Sequence, residues 1–218
     1  MSKINLSKYQ TLIFDCDGVL LNSNKIKTQA FYEVAKEYGH ESAQALQDYH
    51  VLNGGISRYR KFEFFLTNIL QKPIEQLELN KLLSKYSEEV KGALLLCEIA
   101  PNIKELRSKT KHSKWLVVSG GDQGELREVF KKRGLTVYFN GGIFGSPDSK
   151  DMILKTEKNK ANIVGNSLFL GDSMYDYQSA IAAQIDFIFL SKWTEVVDWE
   201  NVFNDDQVYL DIGSLLGK

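Results

Sequence analysis

The stretch Tyr9–Asn24, YQTLIFDCDGVLLNSN, constrains this chain more than any other. A short apolar run delivers Asp15 and Asp17 to same-face positions of an extended backbone, and Cys16 between them points the other way. Gly18 follows at once, and a helical pattern starts soon after. Two carboxylates side by side repel each other, and the pairing makes sense if a cation or a phosphoryl group sits between them. A strand that merely ends in a turn does not need such a pair.

Four apolar runs have the character of buried parallel strands: Leu12–Phe14, Trp115–Val118, Leu168–Leu170 and Phe187–Leu190. Three of them lead into a polar cluster and then a helical pattern. The clusters are Asp15-Cys16-Asp17-Gly18, Ser119-Gly120-Gly121-Asp122 and Gly171-Asp172-Ser173. Strands alternating with helices predict an α/β fold, an open, doubly wound parallel sheet with helices on both faces. Ligands of such sheets bind at the carboxyl edge of the strands, where all three clusters converge.

The interval from about Asn22 to Cys97 carries no strand pattern. Ile26, Ala30, Phe31, Val34 and Tyr38 share one helical face, with Gly39 as a stop. Tyr59, Phe62, Leu66 and Ile69 make a second stripe, and Leu79, Leu82, Leu83, Tyr86 and Val90 a third. Gly54-Gly55 interrupts them, and Ser57 is placed to cap the next helix. The interval therefore predicts a small helical cap domain inserted after the first strand. The tail from Ser191 is acidic and weakly patterned until Val208–Leu210, a candidate edge strand.

At 218 residues the chain is long enough for one large domain or a core plus a small insert. A net charge of −1 gives no basic excess, so no sequence-independent grip on nucleic acid is expected. No apolar run nears the roughly 20 residues of a membrane span. The first ten residues, MSKINLSKYQ, lack a secretory apolar stretch. Cys16 and Cys97 do not make a disulfide or zinc framework, and a cytoplasmic protein with reduced thiols is expected. The oligomeric state is left open.

FDCDGVL at Phe14–Leu20, VVSGG at Val117–Gly121, Lys150 in GSPDSK and GDSMYD at Gly171–Asp176 resemble four ordered motifs. They are those of the haloacid dehalogenase (HAD) superfamily, in its phosphoglycolate phosphatase and β-phosphoglucomutase-like branch. The resemblance spans about Leu12 to Leu190 and implies a Rossmann-like core over residues 1–21 and 98–218, with a C1-type cap over 22–97. It further implies that Asp15 is a nucleophile forming an aspartyl-phosphate, and that Asp17 is the general acid and base. Mg²⁺ would be held by Asp15, the Asp17 carbonyl and Asp172, with Asp176 completing the acidic metal shell. Ser119 and the Gly120 N–H would bind phosphoryl oxygens, with Lys150 supplying positive charge. True dehalogenases generally lack an acid at the Asp17 position, so the implied chemistry is phosphorus–oxygen.

The resulting expectation is a Mg²⁺-dependent phosphatase acting on a small phosphorylated metabolite, a sugar or sugar-acid phosphate. A sugar phosphomutase is the enzyme alternative, although Lys27 stands where mutase-like relatives usually carry a histidine. A catalytically idle protein that binds a phosphometabolite or a partner is the alternative of another class. In the cap loop, Asn53–Lys61, Arg58 and Lys61 lie at i and i+3 and are candidate specificity residues, against a reading as a solvated face. Asp122 and Glu125 have capping-box spacing and read as structural. Lys150 begins a helix, the end where a cation is disfavoured, which suits a functional charge. His40, His50 and His112 share no metal spacing and read as structural or solvated.

Overall fold

The apolar runs become neighbouring strands of one sheet in the computed structural model, which describes residues 4–217. The strands are β1 (Thr11–Phe14), β2 (Lys114–Asp122), β3 (Gly142–Ser146), β4 (Ser167–Gly171), β5 (Asp186–Leu190) and β6 (Val208–Tyr209). Among the described residues the order is β3-β2-β1-β4-β5-β6, and every pairing is parallel. Leu12 lies beside Trp115 and Leu168, and Phe14 beside Val117 and Leu170.

Alternation along these strands sends side chains into two separate cores. Leu12, Phe14, Trp115, Val117, Leu168 and Leu170 pack on one face, against Leu106 of α5 (Ile103–Lys109) and Phe130 of α6 (Gln123–Lys132). Ile13, Leu116, Val118 and Phe169 pack on the other, against Ile153 and Leu154 of α7 (Lys150–Asn159) and Ala180 of α8 (Met174–Ala182). Both faces of the sheet are thus covered, the doubly wound α/β arrangement that the alternating pattern predicts. β3 was not foreseen: GIFGS has no apolar run, yet Ile143 and Phe144 pair with Val117 and Val118. It is an outer strand whose pattern is broken by Gly142 and Gly145, and only pairing with β2 makes it a strand.

Between β1 and β2 the chain forms α1 (Asn24–Ala35), α2 (His40–Leu52), α3 (Arg58–Phe64) and α4 (Gln76–Leu96). Gly39, at φ +106°, ends the turn after α1 as expected. Ser57 caps α3 by accepting the Arg60 N–H at 3.5 Å. Phe31 on α1, Phe62 on α3 and Tyr86 on α4 form an aromatic cluster, with Phe31 4.4 Å from Tyr86 and 5.2 Å from Phe62 between ring centres. Edge and tilted contacts of this kind hold the helices together beyond simple burial. Among the described residues no helix is long and apolar enough to cross a membrane.

Candidate active site

The strand order reverses direction between β1 and β4, the place where open parallel sheets leave a crevice. Asp15 follows β1 and Asp172 follows β4, and the Asp15 N–H donates to the Leu170 carbonyl at 2.9 Å. Gly18 belongs to this geometry for two reasons. Its φ is +75°, and a Cβ there would stand 2.0 Å from Asp172 Oδ2. The glycine of the first motif therefore makes room for a carboxylate supplied about 150 residues later in the chain.

Carboxylate oxygens of Asp15, Asp172 and Asp176 lie within 4.8 Å of one another, all buried. Burial and then the Asp176 charge push the Asp15 carboxyl up to about 7. Burial, with Asp15 and Asp176 beside it, raises Asp172 well above the usual carboxylate range. Lys150 Nζ lies 3.1 Å from Asp15 Oδ2 and is hydrogen-bonded to Asp176 Oδ1. Burial opposes the ammonium charge, but the two carboxylates outweigh it and hold Lys150 protonated. A cation at the first position of a helix is thus compensated by the site rather than by the helix. Asp176 Oδ2 accepts from Ser173 Oγ at 2.6 Å and from the Ser173 N–H at 3.2 Å, closing a capping box on α8. Both Asp176 oxygens are therefore engaged, whereas Asp15 Oδ1 is buried without a partner. Clustered carboxylate oxygens, one of them on Asp15 without a partner, are the donor set of a hard divalent cation, so these residues fit such an ion.

Asp17 faces the same cavity but has different partners. Lys27 Nζ lies 2.6 Å from its Oδ2, and Ser23 Oγ donates to Oδ1 at 2.6 Å. Burial works to raise the Asp17 carboxyl, but the Lys27 charge and these hydrogen bonds prevail and lower it. Each aspartate of the pair thus has its own lysine, Lys150 for Asp15 and Lys27 for Asp17. Lys27 occupies the apolar face of α1 with Ala30, Phe31 and Val34. A lysine within an apolar stripe was a legible signal for this pairing.

At the end of β2, Ser119 is fully buried, its hydroxyl accepting the Gly121 N–H at 3.1 Å. Gly120 and Gly121, rather than Ser119, line the cavity; Lys150 lies behind its wall. The cavity has a volume of about 60 Å³ and is bounded by Asp15, Asp17 and Asp172 on one side and by the helical segment on the other. Gly55 closes it: a Cβ on Gly120 would stand 2.1 Å from the Gly55 carbonyl oxygen, and one on Gly55 only 2.7 Å from Ser173 Oγ. The glycine loop after α2 sits directly on the strand ends.

Arg58 and Lys61 both line the cavity, with different fates. Arg58 is spoken for: its guanidinium binds Glu125 at 2.5 and 3.1 Å, donates to Ser87 at 2.9 Å and stacks 4.6 Å from the Tyr86 ring centre. Tyr59 adds a bond to Asp122 at 2.8 Å. Asp122 accepts the Glu125 N–H at 2.8 Å as a helix cap should, but the Glu125 side chain leaves the expected capping box to hold Arg58. These two contacts tie α3 to the start of α6. Arg58→Ala leaves a half-buried Glu125 unpaired and strips the buried guanidinium from the Tyr86 ring, and is expected to cost about 3 kcal/mol, measured by urea unfolding.

Lys61, 1% exposed, places Nζ 2.6 Å from His50 Nδ1, and no carboxylate of the described residues lies within ion-pair distance. Burial and the Lys27 charge press Lys61 down to about 7. Burial and Lys61 likewise press His50 well below its ordinary value. His50, expected to be structural or solvated, is on the cavity wall. Its sequence surroundings held no sign of this, because the contact depends on α2 meeting α3. Other residues that the sequence left unmarked are Asn24, which donates to Asp172 Oδ2 at 2.6 Å, and Glu195, which accepts from Thr28 at 2.6 Å. Asn24 also donates to the Trp193 carbonyl at 2.8 Å, so the loop after β5 joins the site despite its weak pattern.

A family model described as haloacid dehalogenase-like hydrolase matches residues 12–190. Solved structures share the fold. A predicted phosphoglycolate phosphatase from Haemophilus somnus has a TM-score of 0.72 at 17% identity, over 97% of this chain and 98% of that one. A predicted phosphatase from Clostridium acetobutylicum has a TM-score of 0.72 at 16% identity, over 95% and 96%. A β-phosphoglucomutase from Clostridium difficile has a TM-score of 0.70 at 16% identity, again over 95% and 96%.

Proposed function

This chain belongs to the haloacid dehalogenase-like hydrolase family, and from that premise we propose that it is a Mg²⁺-dependent phosphatase of a small phosphate monoester. The observation that carries the reading is the trio of buried carboxylates within 4.8 Å, one with an unpartnered oxygen, at the edge of a cavity. Residues 22–97 serve as a cap over a core made of 1–21 and 98–218. Asp15 attacks phosphorus, its oxygen forming the new P–O bond as the bond to the departing alcohol breaks. Asp17 gives that alcohol its proton and later takes one from the water that cleaves phospho-Asp15. Because Lys27 and Ser23 hold Asp17 as a carboxylate, its release from Lys27 accompanies proton uptake.

Mg²⁺ held by Asp15, Asp172 and the Asp17 carbonyl would supply the neutralising charge that lets a carboxylate approach an anionic ester. Asp176 serves this site by gripping Lys150 and capping α8, in addition to its place in the acidic cluster. Gly120 offers backbone N–H to phosphoryl oxygens, with Ser119 and Lys150 setting that edge from behind the wall. Lys27, paired with Asp17 where mutase-like relatives usually carry a histidine, supports hydrolysis over mutase chemistry.

With Mg²⁺, the wild type is expected to hydrolyse both p-nitrophenyl phosphate and an alkyl phosphate. Asp17→Asn should slow the alkyl ester by roughly 10²- to 10⁴-fold and the activated ester by less than about tenfold. Equal losses on both esters would remove Asp17 from the proton-transfer role, and an inactive wild type would remove the phosphatase reading itself.

A further inference from the structure

Asn24 is the first residue of α1, and its side chain reaches the strand ends. Its Nδ2 donates to Asp172 Oδ2 at 2.6 Å and to the Trp193 carbonyl at 2.8 Å. Both partners are acceptors, so the amide nitrogen is the atom that must face them, and both of its N–H bonds are spent. Gly18 leaves room for this contact: a Cβ there would stand 2.0 Å from Asp172 Oδ2 and 2.5 Å from Asn24 Nδ2. The main chain of Asp172 is anchored as well. Thr194 Oγ1 donates to the Asp172 carbonyl at 2.6 Å and accepts the Val196 N–H at 3.0 Å. The acid after β4 is therefore gripped at its carboxylate by α1 and at its carbonyl by the loop after β5. Asp172 lines the cavity, and its Oδ1 receives no hydrogen bond among the described residues.

We propose that Asn24 is a positioning residue that restricts Asp172 to offering an ion one oxygen, and thereby makes the site select Mg²⁺ over Ca²⁺. The proposal rests on the reading of Asp15 and Asp172 as ion ligands, and adds what decides which ion they hold. Ca²⁺ takes roughly six to eight oxygens and readily accepts both from one carboxylate, whereas the smaller Mg²⁺ demands a near-octahedral set of single oxygens. For Asp172 to give both, Oδ2 has to leave Asn24, whose amide would lose a buried acceptor while still held by Trp193. Partners that orient a ligand from behind are worth about 10- to 100-fold in affinity. Thr28, one turn further along α1, secures the same helix to the same loop by donating to Glu195 at 2.6 Å, with no hydrogen bond to Asp172. It separates the effect of the amide from that of seating the helix.

The test measures bound Mn²⁺ by the loss of the free-ion signal in electron paramagnetic resonance, and ranks Mg²⁺ and Ca²⁺ by the concentration that displaces it. No turnover enters the measurement. The wild type should bind Mn²⁺ and prefer Mg²⁺ over Ca²⁺ by at least about tenfold, and Asp172→Asn should lose the bound Mn²⁺. Asn24→Ala should weaken Mg²⁺ by about 10- to 100-fold and Ca²⁺ by less than about twofold, so that the preference falls by at least about fivefold. Thr28→Val should keep the wild-type preference within about twofold. A wild type that holds Ca²⁺ as tightly as Mg²⁺ overturns the proposal whether or not the variants fold. Equal weakening of both ions in folded Asn24→Ala also overturns it, since a loosened helix would do the same. So does a Thr28→Val variant that loses as much preference as Asn24→Ala. Mn²⁺ binding that is absent in the wild type, or that survives in Asp172→Asn, removes the ion reading and the proposal together. Binding lost in Asp172→Asn, with an unchanged preference in Asn24→Ala, keeps the ion site and removes the role of Asn24 alone.

Discussion

Asp15→Asn is expected to lower turnover of p-nitrophenyl phosphate by at least about 10⁴-fold, because an amide has no anionic oxygen to form the acyl-phosphate bond. The same substitution should leave the protein folded, with an unchanged or higher Tm. Asp15 is one of three buried acids facing a single lysine, and burial with Asp176 already pushes its carboxyl up to about 7. A neutral isostere relieves that repulsion, and Lys150 keeps Asp176 as its partner. Asparagine can still occupy the place beside Lys150, so loss of activity cannot be attributed to collapse of the site. Steady-state kinetics and a thermal melt on one preparation decide the matter. Turnover that persists in the folded variant would mean another group attacks phosphorus.

Gly120→Ala tests a contact that exists only in three dimensions. The new Cβ would stand 2.1 Å from the Gly55 carbonyl oxygen and 2.9 Å from the Gly55 carbonyl carbon. Both neighbours are backbone, so relief requires the glycine loop after α2 to lift from the strand ends. Gly55 itself packs against Ser173 Oγ and Lys150 Nζ, and lifting it opens the wall beside Asp15. A displacement of about 1 Å in a positioning element costs on the order of 10²-fold, and a loss of at least that size in kcat/KM is expected. Stability should fall by only about 1–3 kcal/mol, the ordinary cost of overpacking. Gly92→Ala is the control: its Cβ would meet nothing within 4 Å, and alanine in a helix should stabilise by roughly 0.5–1 kcal/mol without loss of activity. Wild-type activity in Gly120→Ala would show that the loop need not sit where it does.

Much of the sheet and part of the site were legible because both are written locally. Buried parallel strands are apolar on both faces, so Leu12–Phe14, Trp115–Val118 and Leu168–Leu170 announce themselves as runs. Their polar ends, Asp15, Asp17, Gly120 and Asp172, needed no knowledge of which strand adjoins which. β3 was missed for the converse reason: Gly142 and Gly145 break its pattern, and hydrogen bonds to β2 define it. Lys27 could have been found, since a lysine at a core position of α1 requires a buried partner. His50 could not, because nothing near it in the sequence reveals that Lys61 will stand 2.6 Å away.

Arg58 and Lys61 show where local reading stops. Their i, i+3 spacing put two cations on one face, and both do line the cavity. Their charges nevertheless end differently. Glu125, 67 residues further along, consumes the guanidinium of Arg58, while no carboxylate of the described residues pairs with Lys61.

The sequence by itself determined the sheet's strands on either side of the crevice, the helical segment between them and the acids at the strand ends, since hydrophobic period and turn residues act over a few positions. Only the tertiary structure decided which charges are neutralised. Pairing energies depend on distance and burial, and those follow from packing between segments far apart in the chain.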